Sequence, residues 1–113
     1  MNDELLLRLA AKAAGIEVEF LLHTDGSQTF VAKYEAFDVD GCLWNPLIND
    51  GDAFKLAIDL GMQVSVEGSG ENEAVWADDT MIWVNSEYAQ GDRRKAARSA
   101  IVSVAAQRGE QVP

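Results

Sequence analysis

The stretch from Trp44 to Met62 (WNPLINDGDAFKLAIDLGM) carries both ends of a helix within itself. Pro46 forbids an earlier start, because its ring fixes φ and biases Asn45 toward an extended backbone. Asn49 or Asp50 can cap the first unpaired N–H groups, and Asp50 and Asp52 suit the positive end of the helix dipole. Ala53, Leu56, Ala57 and Leu60 recur at helical spacing, with Phe54 and Ile58 widening the stripe and Lys55 and Asp59 facing out. Gly61 supplies a left-handed stop. Any fold for this chain must place that helix and bury its apolar stripe.

The flanking segments follow the same logic. Residues 3–14 read as a first helix, with Leu5, Leu6, Leu9, Ala10 and Ala13 as its buried stripe, Asn2 as its cap and Gly15 as its stop. Ile16 to His23 alternates with period two, Asp25-Gly26 turns the chain, and Thr29 to Phe37 returns, which predicts a β-hairpin. Asp38-Val39-Asp40-Gly41 reads as a turn into Trp44. After Gly61, Gln63 to Glu67 alternates as a third strand and Glu73 to Asp78 as a fourth. Met81 to Val84 either extends that strand or adds a short fifth. The last helix is expected from a cap at Asp92 to Arg108, with Gly109 closing it and 109–113 fraying. The order helix, hairpin, helix, hairpin, helix predicts an α+β single domain over 1–113. One antiparallel sheet with the helices packed on one face is the economical arrangement. No internal repeat or linker interrupts it.

Three of these stretches resemble a group of small phage and prophage proteins, the NinX-like family of lambdoid phages being the named example. They are the opening helix Glu4 to Ile16 (ELLLRLAAKAAGI), Trp44-Asn45-Pro46-Leu47 followed by Asp50-Gly51-Asp52-Ala53, and Arg93 to Val102 (RRKAARSAIV). The resemblance implies a phage-encoded accessory protein in a bacterial host, and it carries over no catalytic residue.

Charge constrains function more than composition does. Nineteen acidic residues face nine basic ones, a formal −10, which disfavours direct nucleic-acid binding because affinity for phosphate backbones comes largely from Lys and Arg. No apolar run reaches the length of a membrane span, and the acidic start is unlike a secretory leader. With Cys42 alone there is neither an internal disulfide nor a cysteine zinc site. A cytoplasmic protein with no membrane partner is expected.

Catalytic constellations are hard to assemble. His23, the single histidine, ends a strand beside a turn and reads as a rim residue, with no nucleophile signature near it. Asp38, Asp40, Asp50 and Asp52 suggest a cation loop, but counting from Asp38 puts Cys42 and Asn49 where a calcium loop needs oxygen ligands, including its twelfth-position acid. They read better as turn and helix-start residues, and no cofactor or metal is assigned. Gly68-Ser69-Gly70 lacks the Gly-Lys-Ser/Thr that a phosphate loop requires.

Binding signals are easier to find. Trp76 falls on the side of its strand opposite Val75 and Ala77, and Leu21, Val31 and Phe37 also fall outward, so an uncovered sheet face is expected. Arg93, Arg94, Lys95 and Arg98 gather at the start of the last helix, where its dipole disfavours cations. Either acids on neighbouring elements answer them, or a partner does. Glu71, Glu73, Asp78 and Asp79 form the acidic counterpart. Surface residues Trp76, Arg93, Arg94, Arg98, Glu71, Glu73, Asp78 and Asp79 are therefore the expected interaction set. They point to a non-enzymatic acidic protein that binds a host protein, an inhibitor of a defence or nucleic-acid-handling system. The alternatives are a structural homodimer or small-ligand module seamed at Trp76, and a metal-assisted enzyme using the aspartate turns.

Overall fold

The computed structural model describes residues 3–22, 24, 28–34 and 39–112, with backbone alone for 19–22, 28–34 and 39–43. In chain order the elements are α1 (Asp3–Ala14), β1 (Glu17–Leu22), β2 (Gln28–Tyr34), β3 (Val39–Leu43), α2 (Asp50–Asp59), β4 (Val64–Glu67), β5 (Ala74–Ala77), β6 (Thr80–Trp83) and α3 (Arg93–Glu110), with a 3₁₀ turn at Gly70–Asn72. The α+β class holds. The single antiparallel sheet does not: the described strands form two three-stranded antiparallel sheets, β1-β2-β3 and β4-β5-β6. Of the expected 38–41 turn, Val39, Asp40 and Gly41 belong to a strand instead, because the edge of β2 offers partners to Val39–Leu43. The pairing shifts register between Ala32 and Tyr34, a bulge that absorbs the imperfect fit. Met81 to Trp83 belong to a separate strand, β6, paired antiparallel to β5 across a turn at Asp78-Asp79, and Val84 lies just beyond it.

Helix α3 is the centre of the molecule. Ala100, Ile101 and Val102 are all buried, as are Val104, Ala105 and Ala106, so burial runs round the helix rather than along one stripe. Helix α1 packs along it through Leu7, Ala10 and Ala11. That stripe is rotated from the expected one, and Leu5 is exposed, because two alanines one turn on from Leu7 let the backbones come closer than Leu5 and Leu9 would. The closest approach is at Gly109: a Cβ there would lie 2.0 Å from the Leu9 carbonyl oxygen. Gly109 is buried and does not end the helix, which runs on to Glu110.

The second sheet covers α3 on another side. Val75 packs with Val84, Ala89 and Ala96, while Ala77 joins Ile101 and Leu56 in the main core. The first sheet is anchored at both ends instead, with Ile16 and Val18 entering the core at its start and Trp44 buried just after it.

Helix α2 begins as its sequence dictates. The Asn49 side chain accepts the Asp52 N–H at 2.9 Å, the Asp52 carboxylate accepts the Asn45 N–H at 2.9 Å, and the Asn45 side chain accepts the Leu47 N–H at 3.0 Å. Ala53, Leu56 and Ala57 face the core, and Gly61 ends the helix at φ +65°. Leu56 is among the most deeply buried side chains, so Leu56→Ala should cost about 2–5 kcal/mol in chemical denaturation. Gly61 and Gly109 should both destabilise as alanines, for different reasons. Gly61→Ala meets no neighbour but must hold a left-handed backbone, costing about 1 kcal/mol. Gly109→Ala, inside a helix where alanine normally gains, should cost about 1–3 kcal/mol because Leu9's backbone must retreat. A Gly109→Ala protein more stable than wild type would show that α1 does not press on α3 there.

Candidate functional site

The cations at the start of α3 are answered from within the molecule. Arg94 and Arg98 both reach Asp50, at 3.1 and 2.6 Å, and Arg98 also donates through Nε to the Leu47 carbonyl at 2.8 Å. Arg93 pairs with Glu73 at the start of β5. At the other end of α3, Arg108 donates to the Leu60 carbonyl and to Asp78 at 2.6 Å. These contacts fix the directions of the elements. Asp50 and Leu60 of α2 meet Arg98 and Arg108 of α3 with equal spacing in the chain, so the two helices run side by side in the same sense. Glu73 and Asp78 set β5 along α3 in that sense too, and β4 runs back against it.

Asp78 is a junction. It holds a positive φ of 51°, which an aspartate tolerates better than most residues, and its Oδ1 accepts the Gln63 N–H at 2.9 Å while Oδ2 takes Arg108. The expected acidic patch is thereby divided. Glu71 and Glu73 lie at one end of β5, Asp78 and Asp79 at the other, and Glu73 and Asp78 are each engaged by an arginine of α3. Of the expected set, Glu71 and Asp79 stay exposed without an architectural task among these contacts. Trp76 is half-buried on the face away from α3, opposite Met81, with exposed Trp83 on the same face.

The Asp50 carboxylate takes Arg94 and Arg98 and that of Asp52 accepts the Asn45 N–H, and no cluster of three metal-ligating side chains occurs among the described residues. Asp38, His23, Phe37 and the Asp25-Gly26 turn lie outside the described residues, as do the side chains of Asp40, Cys42, Leu21 and Val31. No helix of the described residues is long and apolar enough to cross a membrane.

The feature that sequence reasoning did not single out lies between α2, α3 and β4. Phe54 and Ile58, placed in the buried stripe by their spacing, are 66% and 62% exposed. With Val64 of β4 they wall a groove of about 450 Å³ floored by Ala97 and Ile101 of α3, with Asp50, Arg94 and Arg98 at one end. A signal was present in the width of the stripe. Ala53, Phe54, Leu56, Ala57 and Ile58 span far more of a helix surface than one neighbouring helix can cover.

Scanned against protein-family models, curated proteins and solved structures, the chain matches none of them.

The Arg98 hydrogen bond, with the Arg94 charge beside it, outweighs desolvation and holds the Asp50 carboxyl below its ordinary pKa; Arg93 does the same for Glu73. A carboxylate whose pKa is lowered by folding lends stability above its unfolded pKa and loses it as pH falls through the folded one. The melting temperature should therefore fall as pH drops below about 4–5, the unfolded carboxylate range. Asp50→Asn should lower it at neutral pH and flatten part of that acid decline. Parallel curves for the two proteins would mean that Asp50 does not hold the helix ends together.

Proposed function

We propose that this chain is a binding protein rather than an enzyme, and that its partner is a basic protein held in the groove beside α2. The observation that carries this reading is the pair Phe54 and Ile58, two large apolar side chains standing in solvent on a chain of net charge −10. Exposed apolar patches rimmed by polar residues mark interaction sites, and large aromatic and aliphatic side chains supply the anchors. The negative field of the rest of the surface steers a positively charged partner and repels nucleic acid. The resemblance to phage accessory proteins supports a partner in a bacterial host, where an acidic protein can inhibit a defence or nucleic-acid-handling system by occupying its basic surface.

A second reading rests on the outer sheet face. Trp76, Met81 and Trp83 cluster there across β5 and β6, and two such faces apposed would form a homodimer.

Phe54→Asp/Ile58→Asp should leave the fold intact, since neither side chain belongs to the core, and should abolish retention of a basic protein from host lysate. Retention by the wild type should fall steeply as salt rises past physiological strength. Equal capture by both proteins would exclude the groove. Mass that rises with concentration and is reversed by Trp83→Glu would favour the dimer.

A further inference from the structure

We infer that the groove takes an extended segment of the partner, added as a fourth strand on β4, with apolar and basic residues alternating along it. The inference rests on the binding reading above and specifies the form of the ligand.

The helix layer is wider than the sheet that covers it. β5 and β6 lie over α3, while α2 sits beside α3 toward β4, and the α2 face carrying Phe54 and Ile58 stands in solvent. β4 is the edge strand of its sheet, and all four of its residues are exposed. Antiparallel ladders alternate bonded and non-bonded pairs. Asp78 N–H donates to the Gln63 carbonyl at 2.8 Å, which makes Gln63 and Asp78 a bonded pair and places Ser65 and Trp76, then Glu67 and Ala74, in the same phase. Val64 and Val66 consequently turn their N–H and C=O groups to the free edge. Their side chains share a face with Ala77 and Val75, toward the helices, yet are 43% and 51% exposed. The edge carries no lysine, proline or bulge to discourage pairing. An incoming strand would satisfy those backbone groups and lay its inward side chains between Val64, Val66, Phe54 and Ile58 in one step.

The occupant is distinguished by two further facts. A second copy pairing through β4 would bring its own α2 into the space that the first α2 already fills, so the slot suits a strand with no helix behind it. On the outward face the neighbours are Ser65 and Glu67, in a molecule whose five arginines all form internal ion pairs. Basic residues at the outward positions complement both Glu67 and the net charge.

The test uses three synthetic ten-residue peptides: valine alternating with lysine, valine alternating with glutamate, and the first composition rearranged to helical period. Binding is followed by NMR with amide exchange on the whole chain. The valine–lysine alternation should bind and slow exchange at the Val64 and Val66 amides. Binding should weaken by about tenfold or more in Val66→Pro, which removes an edge donor but no ladder bond, and in Phe54→Asp/Ile58→Asp. Both variants are checked for wild-type melting first. Equal binding of the acidic alternation, or binding without protection of β4, overturns the inference. Preference for the helical isomer overturns strand addition while leaving a protein-binding groove. If no peptide binds and the lysate capture also ignores Phe54 and Ile58, the binding reading itself fails.

Discussion

Two arginines of α3 hold α2 at its two ends, and most of the arrangement around the groove depends on them. Arg98 bonds the Asp50 carboxylate and the Leu47 carbonyl at the start of α2, and Arg108 bonds the Leu60 carbonyl at its end. A cation in the last turn of α3 suits that helix's own dipole. Arg98 near its start does not, and its position makes sense only because the acidic first turn of α2 lies alongside. Exposed ion pairs stabilise little individually. Their effect here is positional: they help set the register of two parallel helices that pack through the small side chains of Ala53 and Ala57 as well as Leu56 and Ile101. With that register set, Leu56 points inward and Phe54 and Ile58 point past the edge of the sheet.

Alanine is also what makes α3 central. Small side chains at Ala96, Ala100 and Ala105, and none at Gly109, allow α1, α2 and a sheet to approach one helix from different sides. The consequence is an imbalance between layers. Two helices lie side by side where a three-stranded sheet covers one of them. Part of the residual apolar surface therefore falls on α2 and on the inner face of β4, where Phe54, Ile58, Val64 and Val66 remain in solvent.

Legibility in the sequence followed the range of the interaction. Helix ends written locally were readable: the Asn49 and Asp92 caps, the Gly61 stop and both ends of α2 stand where their residues place them. The strand at Val39–Leu43 was not, because Asp40-Gly41 carries a turn signal and only pairing with the preceding strand β2, across a bulge, overrides it. The partners of Arg94 and Arg98 lie more than forty residues away, and no local pattern names them. All-round burial of α3 was legible in principle, since Ala100-Ile101-Val102 and Val104-Ala105-Ala106 leave no polar side for a stripe. The groove was half-legible: the excess width of α2's apolar surface was visible, but which edge of it would be left uncovered depends on tertiary placement.

The ion pairs bear on function through what they remove. Every arginine is engaged with a carboxylate of the same chain, and Lys95 lies over the Tyr88 ring at 4.6 Å. The positive cluster that sequence alone presented as a contact surface is thus architectural, and altering it would disturb α2 and β5 before it disturbed any partner. The five arginines meet four carboxylates, since Asp50 takes two of them, so the net −10 is expressed by the acids outside these pairs. On the proposed binding reading, field and anchor are then separate: charge spread over the surface would govern approach, within about a Debye length, while the apolar walls of the groove would govern what stays bound. Under that proposal, a partner selected by both would be basic as a whole and apolar where it touches Phe54 and Ile58.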